Sequence, residues 1–240
     1  MHEIVTVIGA EGFVGSAFVR LLALKGVQLI QVTRQSYEGQ AGRFRSTVTI
    51  DCAGNPFRHV ALNRPVEDFE RTVVHRMRTL HDFPADLQIH VSSVDVADGS
   101  VYGFHKDLAE QLVRWYSERW FTVRLAGMVG PRLRKNIVFD ILNERPIFVH
   151  PDSQYRFMNT DDVAQIVWVL RQKQFRGTIS VCGEGMISPA EIAKLAGKKL
   201  DLSQVIGPPR ITPGAGPEML SAFIPAVPRT VDTIRAFVHA

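Results

Sequence analysis

Short apolar runs alternate with segments whose apolar residues recur every three or four positions along the first half of the chain. Runs rich in β-branched residues, such as Ile4-Val-Thr-Val-Ile8, are typical of strands buried on both faces of a parallel sheet. The periodic segments between them are typical of amphipathic helices. This alternation predicts an α/β fold, a Rossmann-like doubly wound parallel sheet. Further strands are predicted at residues 27–33, 47–52, 88–92, 121–125 and 177–182, and long helices at 66–83 and 102–119.

Three glycines follow the first strand and precede the first helix: Gly9, Gly12 and Gly15. At this spacing the first allows a tight turn, the second lets the backbone approach a pyrophosphate, and the third lets the helix pack closely on the strand. The N–H groups and the positive dipole end of the helix then attract phosphates. The motif predicts a dinucleotide site in its expected context. The predicted cofactor-binding residues of this loop are Gly9, Gly12, Phe13, Val14 and Gly15.

The end of the second strand indicates which dinucleotide is bound. An NAD-binding chain usually carries Asp or Glu there for the ribose hydroxyls. This chain has Thr33 and Arg34 instead, so no carboxylate repels a 2′-phosphate and a guanidinium is placed to pair with it. We predict NADP as the cofactor, with NAD possible. A solvated loop position is the alternative interpretation of Arg34.

The connection that follows is unusually short. Only residues 34–46 separate the second predicted strand from the next one. A further strand would require two crossovers, each of roughly ten residues or more with its helix. We therefore predict that one strand–helix unit at the edge of the sheet is missing, which would leave the adenine side of the cofactor site open.

Tyr102 and Lys106 lie four residues apart and therefore on one face of a predicted helix. A free tyrosine has a pKa near ~10, and a neighbouring ammonium lowers it, which makes a usable general acid/base. Just upstream, Ser92 and Ser93 end a strand, where a hydroxyl group could hold a substrate carbonyl beside the phenol. By itself the spacing also fits ordinary helix packing.

Composition and charge narrow the function classes. The 240 residues are 45% apolar and 22% charged, as in an ordinary globular protein. A net charge of +4 suggests an anionic ligand and gives little support to nucleic-acid binding, which we do not expect. His75 and His81 are too far apart to share a metal, so we predict a solvated helix face and no metal site. Cys52 and Cys182 lie in apolar runs, which favours buried thiols.

The chain shows no apolar stretch of membrane-spanning length, and its first strand begins too early to leave room for a signal peptide. We therefore expect no membrane contact and a cytoplasmic location. Beyond Gly130-Pro131 the pattern loosens. This predicts a Rossmann domain at residues 1–130 and a small substrate-binding subdomain at 131–240, part of which returns to the sheet. Within it we predict helices at 137–142, 161–170 and 229–239, a capped helix from Ser188, a short strand at 146–149 and an irregular wrap at 207–228.

Together these motifs resemble the extended short-chain dehydrogenase/reductase family, whose NAD(P)-dependent epimerases, dehydratases and reductases modify nucleotide sugars. The matching residues are Gly9, Gly12 and Gly15; Asp51-Cys52-Ala53-Gly54; Ser92-Ser93; Tyr102-Gly-x-x-Lys106 with Glu110; residues 124–131; residues 157–164; and residues 181–185. The resemblance implies that Tyr102 is the acid/base, and that Lys106 assists it and holds the nicotinamide ribose. It implies that Ser93 binds the reacting oxygen of the substrate. It also implies that Cys52, Ala53, Gly54 and Ser92 line the cofactor.

The substrate side is predicted from position and from the resemblance. Arg132 and Lys135 follow the Gly130-Pro131 turn, where the chain leaves the sheet at a strand's carboxyl end. The resemblance implies that Asn136 contacts a nucleotide diphosphate, so a nucleotide-linked sugar is the expected substrate. A solvated basic loop is the alternative. The resemblance also implies a homodimer through the helices at 66–83 and 102–119, with Met77 and Trp115 in the interface.

Three departures from the family pattern bear on function. The connection from Ser93 to Tyr102 is much shorter than usual. Tyr155 occupies the place of an arginine that contacts the nucleotide pyrophosphate, and Arg156 lies one residue later. A Thr-Asp-Glu arrangement after Ser93 is absent, which disfavours sugar dehydration. We expect an NAD(P)-dependent oxidoreductase or epimerase, and the alternative is a catalytically silent NADP-binding sensor or scaffold.

Overall fold

A six-stranded parallel sheet forms the centre of the structure, a computed structural model that describes residues 3–212, 214 and 216–240. Its strand order is β2-β1-β3-β4-β5-β8, and every neighbouring pair is parallel. The predicted doubly wound sheet is thereby confirmed. The strands of this sheet are β1 (Ile4–Ile8), β2 (Gln28–Val32), β3 (Ser46–Asp51), β4 (Ala85–Ser93), β5 (Trp120–Leu125) and β8 (Gly177–Val181). A separate two-stranded sheet pairs β6 (Gly127–Val129) with β7 (Phe157–Asn159).

The predicted loss of one strand–helix unit is confirmed by the strand order. β1 pairs with β2 on one side and with β3 on the other, so β2 forms the edge of the sheet. The crossover from β2 to β3 carries only one short helix, α2 (Tyr37–Gln40). The residues between β2 and β3 are too few to form another strand with its two crossovers, so the sheet ends at β2.

Helices cover both faces of the sheet. On one face α1 (Gly15–Leu22) packs against α8 (Thr160–Gln172). On the other face α6 (Val101–Tyr116) packs on β4 and β5, beside α3 (Arg58–Asn63), α4 (Pro65–Phe69) and α5 (His75–Asp82). Phe18 and Phe121 are almost fully buried in the core of the sheet. Burial of an aromatic or aliphatic side chain of this size stabilises the fold by roughly 1.5–3 kcal/mol.

The long helix predicted at 66–83 forms as α4 and α5, joined by a π-helical turn over Glu70–Val74. The helix predicted at 102–119 is α6, which begins one residue earlier and ends three residues sooner. The Ser100 hydroxyl caps α6 by accepting a hydrogen bond from the Gly103 N–H at 3.0 Å. A short 3₁₀ turn, Val94–Ala97, fills the connection from β4. Any side chain at Gly103 would overlap the Asp95 carbonyl oxygen, so the turn packs directly against α6.

After β6 the chain forms α7 (Ile137–Leu142), α9 (Pro189–Ala196) and α11 (Thr230–Val238), which enclose a second apolar cluster. The short α10 (Glu218–Ser221) instead packs its Leu220 into the core of the main sheet. Ser188 and Glu191 form the predicted capping box at the start of α9. The strand predicted at 146–149 is wrong, because Pro146 makes only an isolated bridge to Asp201. Across residues 3–212, 214 and 216–240, every helix is too short or too polar to cross a membrane.

Candidate functional site

A deep cleft of about 2660 Å³ runs along the carboxyl edge of the sheet. A typical small-molecule pocket is roughly 300–1,000 Å³, so this cleft has room for a dinucleotide and a second ligand. The predicted site residues, with the exception of Gly15, all line it. They are Gly9, Gly12, Phe13, Val14, Thr33, Arg34, Cys52, Ala53, Gly54, Ser92, Ser93, Tyr102, Lys106, Arg132, Lys135 and Asn136.

The glycine loop has the conformation that a phosphate site needs. Gly9 has a φ of +75°, and its carbonyl accepts a hydrogen bond from the Gly12 N–H at 2.9 Å. Gly15 is buried below this turn, where any side chain would overlap the Gly9 carbonyl oxygen. No side chain of the described residues caps the first turn of α1. The Ser16 and Ala17 N–H groups donate to the Gly12 and Val14 carbonyls at 2.9 and 3.0 Å, so the Val14 and Gly15 N–H groups are the ones available to an anion in the cleft.

At the β2 end of the cleft, the Thr33 N–H donates to the Ser36 hydroxyl at 2.9 Å, which fixes the loop that carries Arg34. Arg34 is exposed, and within the described residues no carboxylate lies within ion-pair distance of it. His75 also lines this end and is half-buried beside the Tyr37 ring. The predicted solvated position of His75 is therefore wrong. The helix places its ring partly against Tyr37 and partly in the cleft.

The turn after β3 is held from below by a buried ion pair between Asp51 and Arg76, which are each about 3% exposed. The Asp51 carboxylate accepts the Ala53 N–H at 2.9 Å, and Arg76 donates to the Ala53 carbonyl at 3.3 Å. Burial lowers the pKa of Arg76 to about 9. Burial also raises the pKa of the Cys52 thiol. Sequence reasoning missed Arg76, because a charged residue in a helix is normally expected on its exposed face.

Tyr102 and Lys106 lie next to each other in a buried part of the cleft, as their spacing in the sequence predicts. The Lys106 Nζ lies 5.3 Å from the centre of the Tyr102 ring, and the two residues are 8% and 7% exposed. Burial, reinforced by the charge of Arg76, lowers the pKa of Lys106 to about 8. The pKa of Tyr102 is raised, chiefly by burial and then by the charge of Asp95. The predicted lowering of the phenol pKa by Lys106 is therefore wrong, since desolvation dominates.

Arg58 and Asp95 were not foreseen from the sequence, yet they lie beside the phenol. The Arg58 guanidinium binds the Asp95 carboxylate with two nitrogens, one of them at 2.9 Å. It also lies 3.5 Å from Asp98. Arg58 is the charge that opposes the rise in the pKa of Tyr102. The acidity of the phenol thus depends on an ion pair between the first residue of α3 and the 3₁₀ turn after β4.

The two serines at the end of β4 have different environments. The Ser93 hydroxyl accepts the Asp95 N–H at 3.2 Å and stays open to the cleft. Ser92 donates to the buried Glu110 carboxylate at 2.6 Å, and Arg124 binds the same carboxylate at 2.9 and 2.7 Å. This network fixes α6 to β4 and β5, and so fixes the position of the phenol.

Arg132 and Lys135 reach the part of the cleft that is formed by the glycine loop and the loop after β3. Arg132 donates to the Glu11 carbonyl in the glycine loop at 3.4 Å. The Lys135 ammonium contacts the Pro56 carbonyl and lies 4.2 Å from the centre of the Phe57 ring. Desolvation there lowers the pKa of Lys135 to about 8. The segment therefore crosses from the loop after β1 to the loop after β3.

Asn136 is occupied within the chain. Its side-chain oxygen accepts the N–H groups of Val138 and Phe139 at 3.0 and 3.1 Å, which caps α7. Its amide donates to the Met128 carbonyl at 2.8 Å. Most of its hydrogen-bonding capacity is used, so the structure gives little support to the predicted contact with a nucleotide diphosphate.

Arg156 does not line the cleft, because it donates to the carbonyls of Gly183 and Gly185 at 3.4 and 3.3 Å. Tyr155 lines the cleft instead, beside Arg210 from the irregular segment before α10. Sequence reasoning missed Arg210. The surrounding prolines and glycines give no periodic pattern from which its direction follows.

The fold and the glycine-rich cleft define a Rossmann-like protein with a site for a dinucleotide. Residues 5–74 match the model of the NAD dependent epimerase/dehydratase family. In a comparison with curated protein sequences, nothing matches the chain. The predicted resemblance to this family is confirmed by the match over residues 5–74.

Solved structures share the fold at low sequence identity. A UDP-galactose 4-epimerase is 18% identical with a TM-score of 0.78, and the match covers 98% of this chain and 97% of that chain. The dTDP-4-dehydrorhamnose reductase from Bacillus anthracis in complex with NADP is 18% identical with a TM-score of 0.80, covering 99% and 98%. The UDP-glucuronic acid 4-epimerase from Bacillus cereus, in complex with UDP-glucuronic acid and NAD, is 18% identical with a TM-score of 0.78, covering 98% of each chain.

Proposed function

We propose that the chain is an NAD(P)-dependent oxidoreductase or epimerase that acts on a hydroxyl or keto carbon of a nucleotide-linked sugar or a related small substrate. The observation that carries the proposal is the buried pair of Tyr102 and Lys106 in the same cleft as the glycine loop. A dinucleotide that places its pyrophosphate at α1 would have its nicotinamide near this pair. The similarity to epimerases and to a reductase supports the same reaction class.

The residues present fit a dinucleotide. Gly15 leaves no room for a side chain below the loop, and the Val14 and Gly15 N–H groups at the start of α1 have no partner among the described residues. Lys and Arg outnumber Asp and Glu among the side chains that line the cleft, which suits a ligand with several negative charges. Thr33 and Arg34 at the β2 end favour NADP over NAD, because they offer a cation and no carboxylate to a 2′-phosphate.

The nicotinamide, when bound, supplies the hydride chemistry. Because burial raises the pKa of Tyr102, the phenol is protonated at neutral pH and is a proton donor. This favours the reductive direction, in which Tyr102 gives its proton to the oxygen of a carbonyl group. Ser93, open to the cleft, is placed to donate a hydrogen bond to the same oxygen. Lys106 supplies the positive charge beside the phenol.

Residues 131–240 would bind the rest of the substrate. Arg210 is exposed in the cleft next to Tyr155, and the charge of Arg210 lowers the pKa of the Tyr155 phenol against the effect of burial. Arg156 is committed to backbone carbonyls. We therefore assign to Arg210 the role of binding an anionic group of the substrate.

The direct test is to incubate purified protein with NADPH and a panel of nucleotide-linked keto sugars, and to follow loss of the reduced nicotinamide absorbance. Turnover by the wild type supports the enzyme. NADPH binding without turnover of any substrate would favour the second candidate, a silent NADP-binding sensor. That candidate is supported by the shortened connection from Ser93 to Tyr102 and by the missing strand–helix unit.

We also propose a homodimer through α4, α5 and α6. Apolar side chains on these helices are exposed, including Met77 at 38% and Trp115 at 84%. Two-fold contacts are the commonest arrangement of soluble oligomers. Light scattering at micromolar concentration should give twice the chain mass, and Trp115→Asp should reduce it. A monomeric mass for the wild type contradicts this proposal.

A further inference from the structure

The β2 end of the cleft, where the missing strand–helix unit would lie, is filled by aromatic residues. The Tyr37 ring of α2 packs edge-on against Phe83, with the ring centres 5.1 Å apart. Its hydroxyl donates to the Asp82 carboxylate at 2.8 Å. The Gly42 N–H donates to the Asp82 carbonyl at 2.8 Å. These contacts attach the β2–β3 connection to the end of α5, and so bring α5 to the edge of the cleft.

His75, at the start of α5, has a polar atom without a partner. Its ring centre lies 5.8 Å from that of Tyr37, and the residue lines the cleft. The Nε2 atom is buried and makes no hydrogen bond to any described residue. Burial, together with the charge of Arg78, lowers the pKa of His75, so the ring is neutral at physiological pH. The Nδ1 atom of the same ring also makes no hydrogen bond to a described residue, and it is not buried, so it is the nitrogen that a ligand in the cleft can reach.

Arg78 lies one helical turn after His75 and lines the same end of the cleft as Arg34. Within the described residues, no carboxylate is within ion-pair distance of either guanidinium. The nearest acidic candidate on α5, Asp82, is already bound by Tyr37 and by His81. Glu38 of α2 is the carboxylate that lines this end. Two guanidiniums against one carboxylate leave a net positive charge there.

We propose that α5 supplies the adenosine end of the cofactor site in place of the missing unit. In this arrangement His75 hydrogen-bonds the adenine base through Nδ1, and Arg78 joins Arg34 in binding the 2′-phosphate of NADP. The inference rests on the proposed cofactor-binding function and names two residues that determine its specificity. A neutral imidazole can exchange a hydrogen bond with the base, and two guanidiniums can form charge-assisted hydrogen bonds with the phosphate.

The test is a fluorescence titration of NADPH and of NADH against the wild type and single variants. Arg78→Ala should weaken NADPH by about tenfold or more, as expected for loss of a charge-assisted hydrogen bond, and should leave NADH within about twofold. Arg34→Ala should behave in the same way. The matched control is Arg176→Ala, an exposed arginine just before β8, at the opposite edge of the sheet. It should change neither affinity.

His75 is tested with His75→Phe, which keeps a ring beside Tyr37 but removes the nitrogen. It should weaken NADPH and NADH by the same factor, roughly threefold to tenfold. His75→Gln, which restores a polar group, should recover part of the loss. Thermal unfolding of each variant checks that the helix is intact, and a variant that fails this check is replaced by His75→Leu.

The outcomes separate the inference from the function on which it rests. Wild-type protein that binds neither nucleotide overturns the proposed function and the inference together. Wild-type protein that binds NADPH, while Arg78→Ala and His75→Phe bind it equally well, overturns the inference alone. Equal losses of NADPH and NADH in Arg78→Ala would show that Arg78 does not bind the 2′-phosphate, which also overturns it.

Discussion

Backbone groups shape one half of the cleft, and side chains shape the other. The half proposed to bind the cofactor is defined by backbone: Gly9 turns the chain, Gly15 admits no side chain, and the Val14 and Gly15 N–H groups are without a partner among the described residues. The half proposed to bind the substrate is defined by side chains on irregular segments. Its Asn136 is occupied within the chain as a helix cap, and Arg156 is held outside the cleft by backbone carbonyls. A short motif specifies backbone geometry locally, whereas the direction of a loop side chain depends on neighbours far away in sequence.

The largest effect is expected from a substitution at Tyr102, which lies where the two halves of the cleft meet. Tyr102→Phe removes the phenol proton but keeps the ring in its buried place. We expect turnover of the substrate to fall by about 10²–10⁴-fold, the usual contribution of a general acid, with NADPH affinity nearly unchanged. The measurement is steady-state kinetics with a nucleotide titration alongside. Turnover reduced by less than threefold would show that Tyr102 is not the proton donor.

A second change acts on the cofactor half alone. Gly15→Val places a side chain where the Gly9 carbonyl oxygen lies, so either the loop or α1 must move. We expect NADPH affinity to fall more than tenfold, with a lower melting temperature. Gly39→Ala is the matched control, because a side chain there meets no atom within 4 Å and Gly39 has an ordinary φ. Unchanged NADPH binding in Gly15→Val would contradict a phosphate site at this loop.

The parallel sheet and the missing unit could be predicted because both depend on apolar runs and on the number of residues between them. The positions of His75 and Arg76 could not. Both follow the π-helical turn at Glu70–Val74, which adds a residue to the turn and rotates the rest of the helix relative to an α-helical count. After that turn, the residues expected on the exposed face of the helix lie elsewhere. His75 is therefore half-buried and Arg76 is almost fully buried.

The pKa of Lys106 gives a smaller effect that can be measured without any ligand. Burial lowers this pKa from 10.5 to about 8, so between these values the unfolded chain binds more protons than the folded one. Stability contributed by this position is therefore lowest below pH 8 and rises towards pH 10.5. Comparison of wild type with Lys106→Met by denaturant unfolding should show a relative gain of roughly 1–3 kcal/mol across that range. A flat difference would mean that Lys106 is not desolvated in the folded protein.

The smallest effect decides to which half of the cleft the segment after β6 belongs. Its position predicts substrate contacts for Arg132 and Lys135, but the structure places Arg132 against Glu11 of the glycine loop and Lys135 against Phe57. A guanidinium beside the glycine loop is positioned for the cofactor pyrophosphate, opposite the start of α1. We therefore expect Arg132→Ala to weaken both NADPH and NADH by roughly threefold to tenfold and to leave the Michaelis constant of the sugar substrate unchanged at saturating NADPH.

Lys135→Ala provides the comparison, because its ammonium is already satisfied by the Pro56 carbonyl and the Phe57 ring. An exposed contact of this kind contributes little, so we expect changes of less than about threefold in either constant. Arg134→Ala, in an exposed residue of the same segment, controls for the general loss of positive charge at the cleft. If Arg132→Ala instead raises the Michaelis constant of the sugar and spares nucleotide affinity, the segment serves the substrate. The contact with Glu11 would then be incidental to binding.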